Sequence, residues 1–193
     1  MKKIPTLFER VFENHRIVGI TDTVHPGMEW VLNGEGVATV KLDGSCCAII
    51  NGEFYKRYDA KKGKKAPAGA IPCCPPDPVT GHHPHWVRIS ADNPSDKWFL
   101  AALDYTSRSQ PFVLKDGTYE SIGLHFQNNP YDLNHDRLCR HGDVTVRVER
   151  TIEGIRKWLI ENPTHEGLVF WKDGEPQCKI KRTDFGLSFP VKK

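Results

Sequence analysis

Val37-Ala38-Thr39-Val40-Lys41-Leu42-Asp43-Gly44-Ser45-Cys46-Cys47-Ala48-Ile49-Ile50-Asn51-Gly52-Glu53-Phe54-Tyr55-Lys56-Arg57-Tyr58 is largely apolar, β-branched or aromatic, and is broken only at Asp43-Gly44 and Asn51-Gly52. Val37, Thr39 and Lys41 alternate with Ala38 and Val40, the period of two expected of a strand with one face buried. Asn51-Gly52 lies between two β-prone runs, and both residue types tolerate the positive φ that a type I′ hairpin turn requires. The pattern predicts that Lys41 begins an antiparallel meander.

Outward from this stretch the signals are mixed. The first 30 residues read as a short helix or coil around Thr6 to Glu13, followed by irregular structure or a strand. Gly63 to Pro84 is rich in Pro, Gly and Lys, too broken for a long helix or a central strand, and reads as a surface loop. Pro94 to Tyr105 reads as a helix, with Asn93 as cap, Pro94 in the first turn, and Trp98, Ala101, Ala102 and Tyr105 on one face. A second helix is expected from Ile152 to Glu161, capped by Thr151, with Ile152, Ile155, Trp158 and Leu159 as its buried stripe and Pro163 beyond its end.

Further strands are expected at Thr118 to Gly123, Val144 to Glu149, Gly167 to Trp171 and Pro176 to Lys181. Asp173-Gly174 joins the last two as a hairpin. Antiparallel strands interrupted by two helices make an α+β fold. At 193 residues, with no internal repeat and no visible linker, one domain over 1–193 is expected.

The hydrophobic residues make up 38% and the charged residues 26%, a globular rather than a disordered or membrane composition. No apolar run approaches the ~20 residues that span a bilayer. Met1-Lys2-Lys3-Ile4-Pro5 opens no hydrophobic leader, so a cytoplasmic protein is expected, without membrane association. The net charge of +3 permits nucleic-acid binding without demanding it. Lys56, Arg57, Lys61, Lys62, Lys64 and Lys65, interleaved with Tyr55 and Tyr58, would suit a phosphate backbone, although charge alone favours a solvated loop.

Six cysteines occur as two adjacent pairs, Cys46-Cys47 and Cys73-Cys74, with Cys139 and Cys178. Without a secretory leader they are expected to be reduced thiols. Cys73 and Cys74 precede His82, His83 and His85, which invites zinc, although no CxxC or other familiar ligand spacing is present.

The chemistry starts from Lys41. A free lysine ionises near roughly pH 10.4, so its amine attacks only where burial or neighbouring cations favour the neutral form. Lys179 and Lys181 are candidates for that help. Two apart on a strand, they share one face and can point at one triphosphate. Glu166 offers oxygen to Mg²⁺, and Glu120 can hold ribose hydroxyls.

In order and spacing, Lys41-Leu42-Asp43-Gly44, Tyr119-Glu120, Glu166-Gly167 and Lys179-Ile180-Lys181 resemble the motifs of the covalent nucleotidyltransferase superfamily of polynucleotide ligases and mRNA-capping enzymes. The resemblance covers Lys41 to Lys181. It implies an ATP-grasp-like nucleotidyltransferase domain of antiparallel sheets flanked by helices. Lys41 would become adenylylated, and Val40, Arg57, Glu120, Lys179 and Lys181 would lie at the nucleotide, with Glu166 at the metal. Phe126 is the candidate for stacking on adenine, with a core phenylalanine as the alternative. Ser121-Ile122 after Glu120 departs from the superfamily's usual acidic-Gly-acidic form.

A narrower likeness rests on Thr118-Tyr119-Glu120-Ser121-Ile122-Gly123, Asn129-Pro130-Tyr131, His135, His141-Gly142, Asp77-Pro78-Val79-Thr80-Gly81-His82 and Trp86. These are similar to small single-domain RNA ligases related to a vertebrate 5′-3′ RNA ligase. That likeness implies ATP with Mg²⁺, or Mn²⁺ in its place, and RNA with 5′-phosphate and 3′-hydroxyl ends as partner. With only Thr183 to Lys193 after the last motif, no OB-fold domain is expected. The alternatives are a DNA ligase or GTP-using capping enzyme, and a non-catalytic RNA-binding module.

Overall fold

The computed structural model describes residues 3–14, 16–110 and 114–191. In chain order the elements are β1 (Phe8–Glu13), β2 (Arg16–Val24), α1 (Glu29–Leu32), β3 (Val37–Lys41), β4 (Ser45–Ile50), β5 (Glu53–Ala60), β6 (Ile71–Pro72) and β7 (His83–Arg88). Then follow α2 (Lys97–Ser109), preceded by a 3₁₀ turn at Pro94–Asp96, β8 (Gly117–Ile122), β9 (Arg137–Arg140), β10 (Thr145–Val146), α3 (Ile152–Glu161), β11 (Gly167–Lys172) and β12 (Glu175–Lys181), with a final 3₁₀ turn at Arg182–Phe185. The fold is α+β, and its strand ladders are antiparallel. No helix among the described residues is long and apolar enough to cross a membrane.

The chain packs as two compact units, one made of Lys3 with Asp43–His141 and the other of Ile4–Leu42 with 142–191. The first holds a six-stranded sheet in the order β6-β7-β5-β4-β8-β9. Asn51 and Gly52 both have positive φ, as a type I′ turn requires, and their N–H groups donate to the Asp116 carboxylate at 2.7 and 3.1 Å. The core under this sheet contains Cys47, Ile49, Phe54, Ala102, Tyr119, Phe126 and Leu138.

The second unit holds the four-stranded sheet β10-β3-β11-β12 and the β1-β2 hairpin. Alternation sends Ala38, Leu168, Phe170, Cys178 and Ile180 into a core closed by Ile155 and Leu159 of α3. The α3 stripe and its Thr151 cap, which accepts from the Gly154 N–H, match expectation. Asp173 and Gly174, both at positive φ, turn β11 into β12.

Several expectations are corrected. Residues 8–13 form a strand rather than helix or coil: Phe8–Glu13 pairs with β2. Its Arg10 reaches the fully buried Asp184 at 2.8 Å, an anchor far away in sequence. Lys41 does not begin the meander. It ends β3, opposite Gly167 in the four-stranded sheet, and the other sheet starts at Ser45. The loop expected at Gly63 to Pro84 contains the edge strand β6 and the start of β7. The expected strand at Val144 to Glu149 shrinks to Thr145–Val146, which pairs with Thr39 and Ala38 of β3.

The buried face of α2 is also rotated from expectation. Ala102 and Thr106 are buried, with Phe99 and Leu103 packed beside them, because Thr106 Oγ1 donates to the Ala102 carbonyl and accepts from the Leu138 N–H at 2.9 Å. Trp98 and Tyr105 lie outside, with their rings stacked on His125 and His135.

Candidate active site

In the four-stranded sheet Gly167 stands directly opposite Lys41 on one side and Lys181 on the other, and Val169 likewise opposite Thr39 and Lys179. Residues directly opposite in antiparallel strands share a face, and so do residues two apart in one strand. Lys41, Lys179 and Lys181 therefore stand on the same face, away from the core. Gly167 is buried in the row between Lys41 and Lys181. A Cβ there would meet the Ile180 carbonyl oxygen at 2.1 Å.

Glu166 precedes this glycine. Its Oε2 accepts from Lys41 Nζ, and its Oε1 lies 3.6 Å from Lys181 Nζ, so one carboxylate serves both lysines. Glu166 is 8% exposed, and its backbone carbonyl accepts from the Arg182 N–H at 2.9 Å. Asp184 accepts the Lys181 N–H at 2.7 Å through its second oxygen while the first holds Arg10, which fixes the end of β12. Arg10 and Asp184 are contributors that sequence patterning missed, since neither lies in a motif.

Burial, with the positive charges of Lys41, Lys181 and Arg10, lowers the Lys179 pKa to about 8, and Glu166 opposes the shift. Below about pH 8 this amine is charged whether the chain is folded or not, and its burial cost is carried in full. Between about pH 8 and 10.5 only the unfolded chain holds the proton, so stability rises with pH. Buried thiols act oppositely above the ordinary thiol range, with Cys178 pushed up to about 12. The difference in urea stability between the parent and Lys179→Met isolates the lysine. It should grow in the parent's favour by up to about 1.4 kcal/mol per pH unit across that window, and a flat difference would refute the assignment.

Val40 belongs to the same unit as these lysines, and the other unit carries the remaining candidates. Val40, whose N–H donates to the Val144 carbonyl at 2.9 Å, belongs to β3, and by alternation its side chain takes the face opposite Lys41. Arg57 on β5 lies 3.7 Å from Asp59 and opposite Trp86. Lys56, its neighbour in the basic run, is tied to the fully buried Asp96 and so serves the fold. Lys61, Lys62, Lys64 and Lys65 are exposed. Phe126 is 4% exposed and packs edge to face on Phe99 with ring centroids 5.2 Å apart, the position of a core aromatic.

Glu120 on β8 accepts from His141 Nε2 at 2.8 Å, and Cys46 stands opposite it on β4. Burial foremost, then the Glu120 charge, pushes the Cys46 thiol up to about 12. All six cysteines are free. Cys73, Cys74, His82, His83 and His85 form no metal-capable group of three; among the described residues such a group occurs at Cys46, Glu120 and His141.

Asp43-Gly44 is no hairpin turn. It lies where the chain has just left β3 and enters β4. The Asp43 N–H donates to the Tyr131 hydroxyl at 2.5 Å, and Gln127 Nε2 donates to the Gly44 carbonyl at 3.2 Å. Only glycine fits at 44, since a Cβ would lie 2.2 Å from the Ser121 carbonyl oxygen. Gln127, Asn128, Asn129 and Asp132 in the gripping loop all have positive φ, and Asn129 braces it through two hydrogen bonds with the Leu133 backbone. Neither comparison with protein-family models nor comparison with curated proteins finds a match for this chain.

Proposed function

We propose that this protein is an ATP-dependent RNA ligase acting through a lysyl-AMP intermediate on an ATP-grasp-like nucleotidyltransferase fold. One observation carries the proposal: three lysines stand on one face of a sheet beside Gly167, and a single buried carboxylate contacts two of them. A structural ion pair needs one lysine. Three cations beside one carboxylate, two of them in contact with it, leave positive charge uncompensated, which suits a polyanion such as a triphosphate.

In the first step Lys41 Nζ, having lost its proton, bonds to the α-phosphorus of ATP. The bond from that phosphorus to the bridging oxygen breaks, and pyrophosphate leaves. Lys179 and Lys181 neutralise the charge that develops on the leaving group. In the second step a 5′-phosphate oxygen of RNA attacks the adenylyl phosphorus, the P–N bond breaks and the lysine is restored. In the third a 3′-hydroxyl attacks the activated 5′-phosphorus, and AMP departs. The motif resemblance alone assigns Glu120 to the ribose hydroxyls and Arg57 to phosphate.

The oxygen donors of Glu166 fit Mg²⁺ or Mn²⁺, which prefer hard ligands and keep several waters. Glu166 would hold the ion directly or through water, and the ion supplies further charge neutralisation at the phosphates. Intact-mass measurement after incubation with ATP and Mg²⁺ should find one AMP adduct, mapping to the peptide that contains Lys41. Absence of an adduct with ATP would refute the assignment, and an adduct formed with GTP alone would point to capping chemistry.

A further inference from the structure

Strand register builds a second group of converging donors, in the six-stranded sheet. Cys46 and Glu120 are direct cross-strand partners on β4 and β8. The β8-β9 ladder pairs Tyr119 with Arg140, and the His141 N–H then donates to the Thr118 carbonyl at 3.0 Å, which sets His141 opposite Thr118. Thr118 and Glu120 share a face of β8, so the imidazole of His141 reaches both: Nδ1 lies 3.0 Å from Thr118 Oγ1 and Nε2 lies 2.8 Å from Glu120. The sulfur of Cys46, a Glu120 oxygen and a His141 nitrogen all lie within 4.8 Å of one another.

We propose that Cys46, Glu120 and His141 bind a borderline-soft divalent ion, Zn²⁺ or its spectroscopic substitute Co²⁺. The donor chemistry selects the ion. Sulfur and imidazole suit Zn²⁺ and Co²⁺, whereas Mg²⁺ demands an octahedron of hard oxygens. A thiolate, a carboxylate and a neutral imidazole carry two negative charges between them, which a divalent ion cancels. Three protein ligands with a fourth position for water make an open site rather than a closed structural one.

An independent feature is the partner of the other ring nitrogen. A metal-bound histidine generally donates its second N–H to an oxygen that fixes its tautomer. Thr118 Oγ1 is already placed for this: with the ring proton moved from Nε2 to Nδ1, Nδ1–H donates to Thr118 Oγ1 and the Nε2 lone pair, no longer holding a proton toward Glu120, is offered to the ion.

A bound ion takes the carboxylate that nucleotidyl transfer assigns to ribose, so it inhibits. That consequence rests on the function proposed above, whereas the binding does not.

The test is titration of the full chain with CoCl₂. One equivalent should produce the near-ultraviolet thiolate-to-cobalt charge-transfer band with the intense visible bands of a tetrahedral ion, and Zn²⁺ should displace it. Cys46→Ser should abolish the charge-transfer band, and Cys74→Ser should leave it unchanged. Thr118→Val, which keeps all three ligands, should retain the band and weaken cobalt binding about 10-fold. Circular dichroism establishes that each variant is folded, and Glu120→Gln replaces Cys46→Ser if that variant is not, with weakened cobalt binding expected. Absence of the band, its survival in folded Cys46→Ser, its loss in Cys74→Ser, or undiminished binding by Glu120→Gln would overturn the site.

Label transfer from α-labelled ATP should fall over the Zn²⁺ concentrations that displace cobalt. Labelling that persists with the site filled would overturn the inhibition. Protein that never labels, even without Zn²⁺, would refute the ligase assignment and leave the cobalt result standing.

Discussion

Replacing Lys41 by arginine should reduce the AMP adduct below detection while leaving the protein folded. A guanidinium keeps the positive charge and can still pair with Glu166, but it does not deprotonate and so cannot attack phosphorus. The substitution therefore separates the nucleophile from the ion pair. The informative competitor is Lys179. Its pKa, lowered to about 8, gives it a larger share of neutral amine at physiological pH than an ordinary lysine has, and it shares the face of Lys41.

Position argues the other way. Lys41 ends its strand and contacts the carboxylate assigned to the metal. The backbone of Lys179 is bonded on its outer side to the Pro5–Leu7 segment, which makes it an interior position of the unit. Lys179→Arg should therefore still give an adduct on the Lys41 peptide. Adduct surviving in Lys41→Arg and vanishing in Lys179→Arg would move the nucleophile to Lys179.

Gly167→Ala should destabilise its unit by about 3 kcal/mol or more, at or above the upper end of ordinary overpacking. The new Cβ would meet the Ile180 carbonyl oxygen at 2.1 Å and the Lys181 Cα at 2.9 Å. These are backbone atoms of a paired strand, so no side chain can rotate away. Relief requires β12 to separate from β11 where Glu166 and Lys181 are held, so adduct formation should fall as well. Gly19→Ala is the control. A Cβ there meets nothing within 4 Å, and its effect on the urea midpoint should stay within about 0.5 kcal/mol. Equal effects at the two positions would show that the row of Lys41, Gly167 and Lys181 is not tightly packed.

Local chemistry explains which parts of the fold could be read without coordinates. Asn51-Gly52 and Asp173-Gly174 specify their turns because left-handed φ is a property of the residues themselves. Thr151 and the Ile155/Leu159 stripe specify α3 within a single helix. The lysine pair on β12 needed only the period of a strand to place both side chains on one face.

Partners distant in sequence decided the rest. Lys41 stands at the end of β3 rather than at the head of a meander because Gly167 pairs with it. The inward face of α2 was chosen by the hydrogen bond from Leu138 to Thr106, against the larger apolar surface of Trp98 and Tyr105. Phe126 became a core residue through Phe99. Lys41, Glu166, Lys179 and Lys181 could be named from residue type and order along the chain, by which they resemble a set of motifs. That Glu166 serves two of the lysines, that Arg10 adds charge to the third, and that Cys46, Glu120 and His141 converge are facts of register between strands, and no local spacing encodes register.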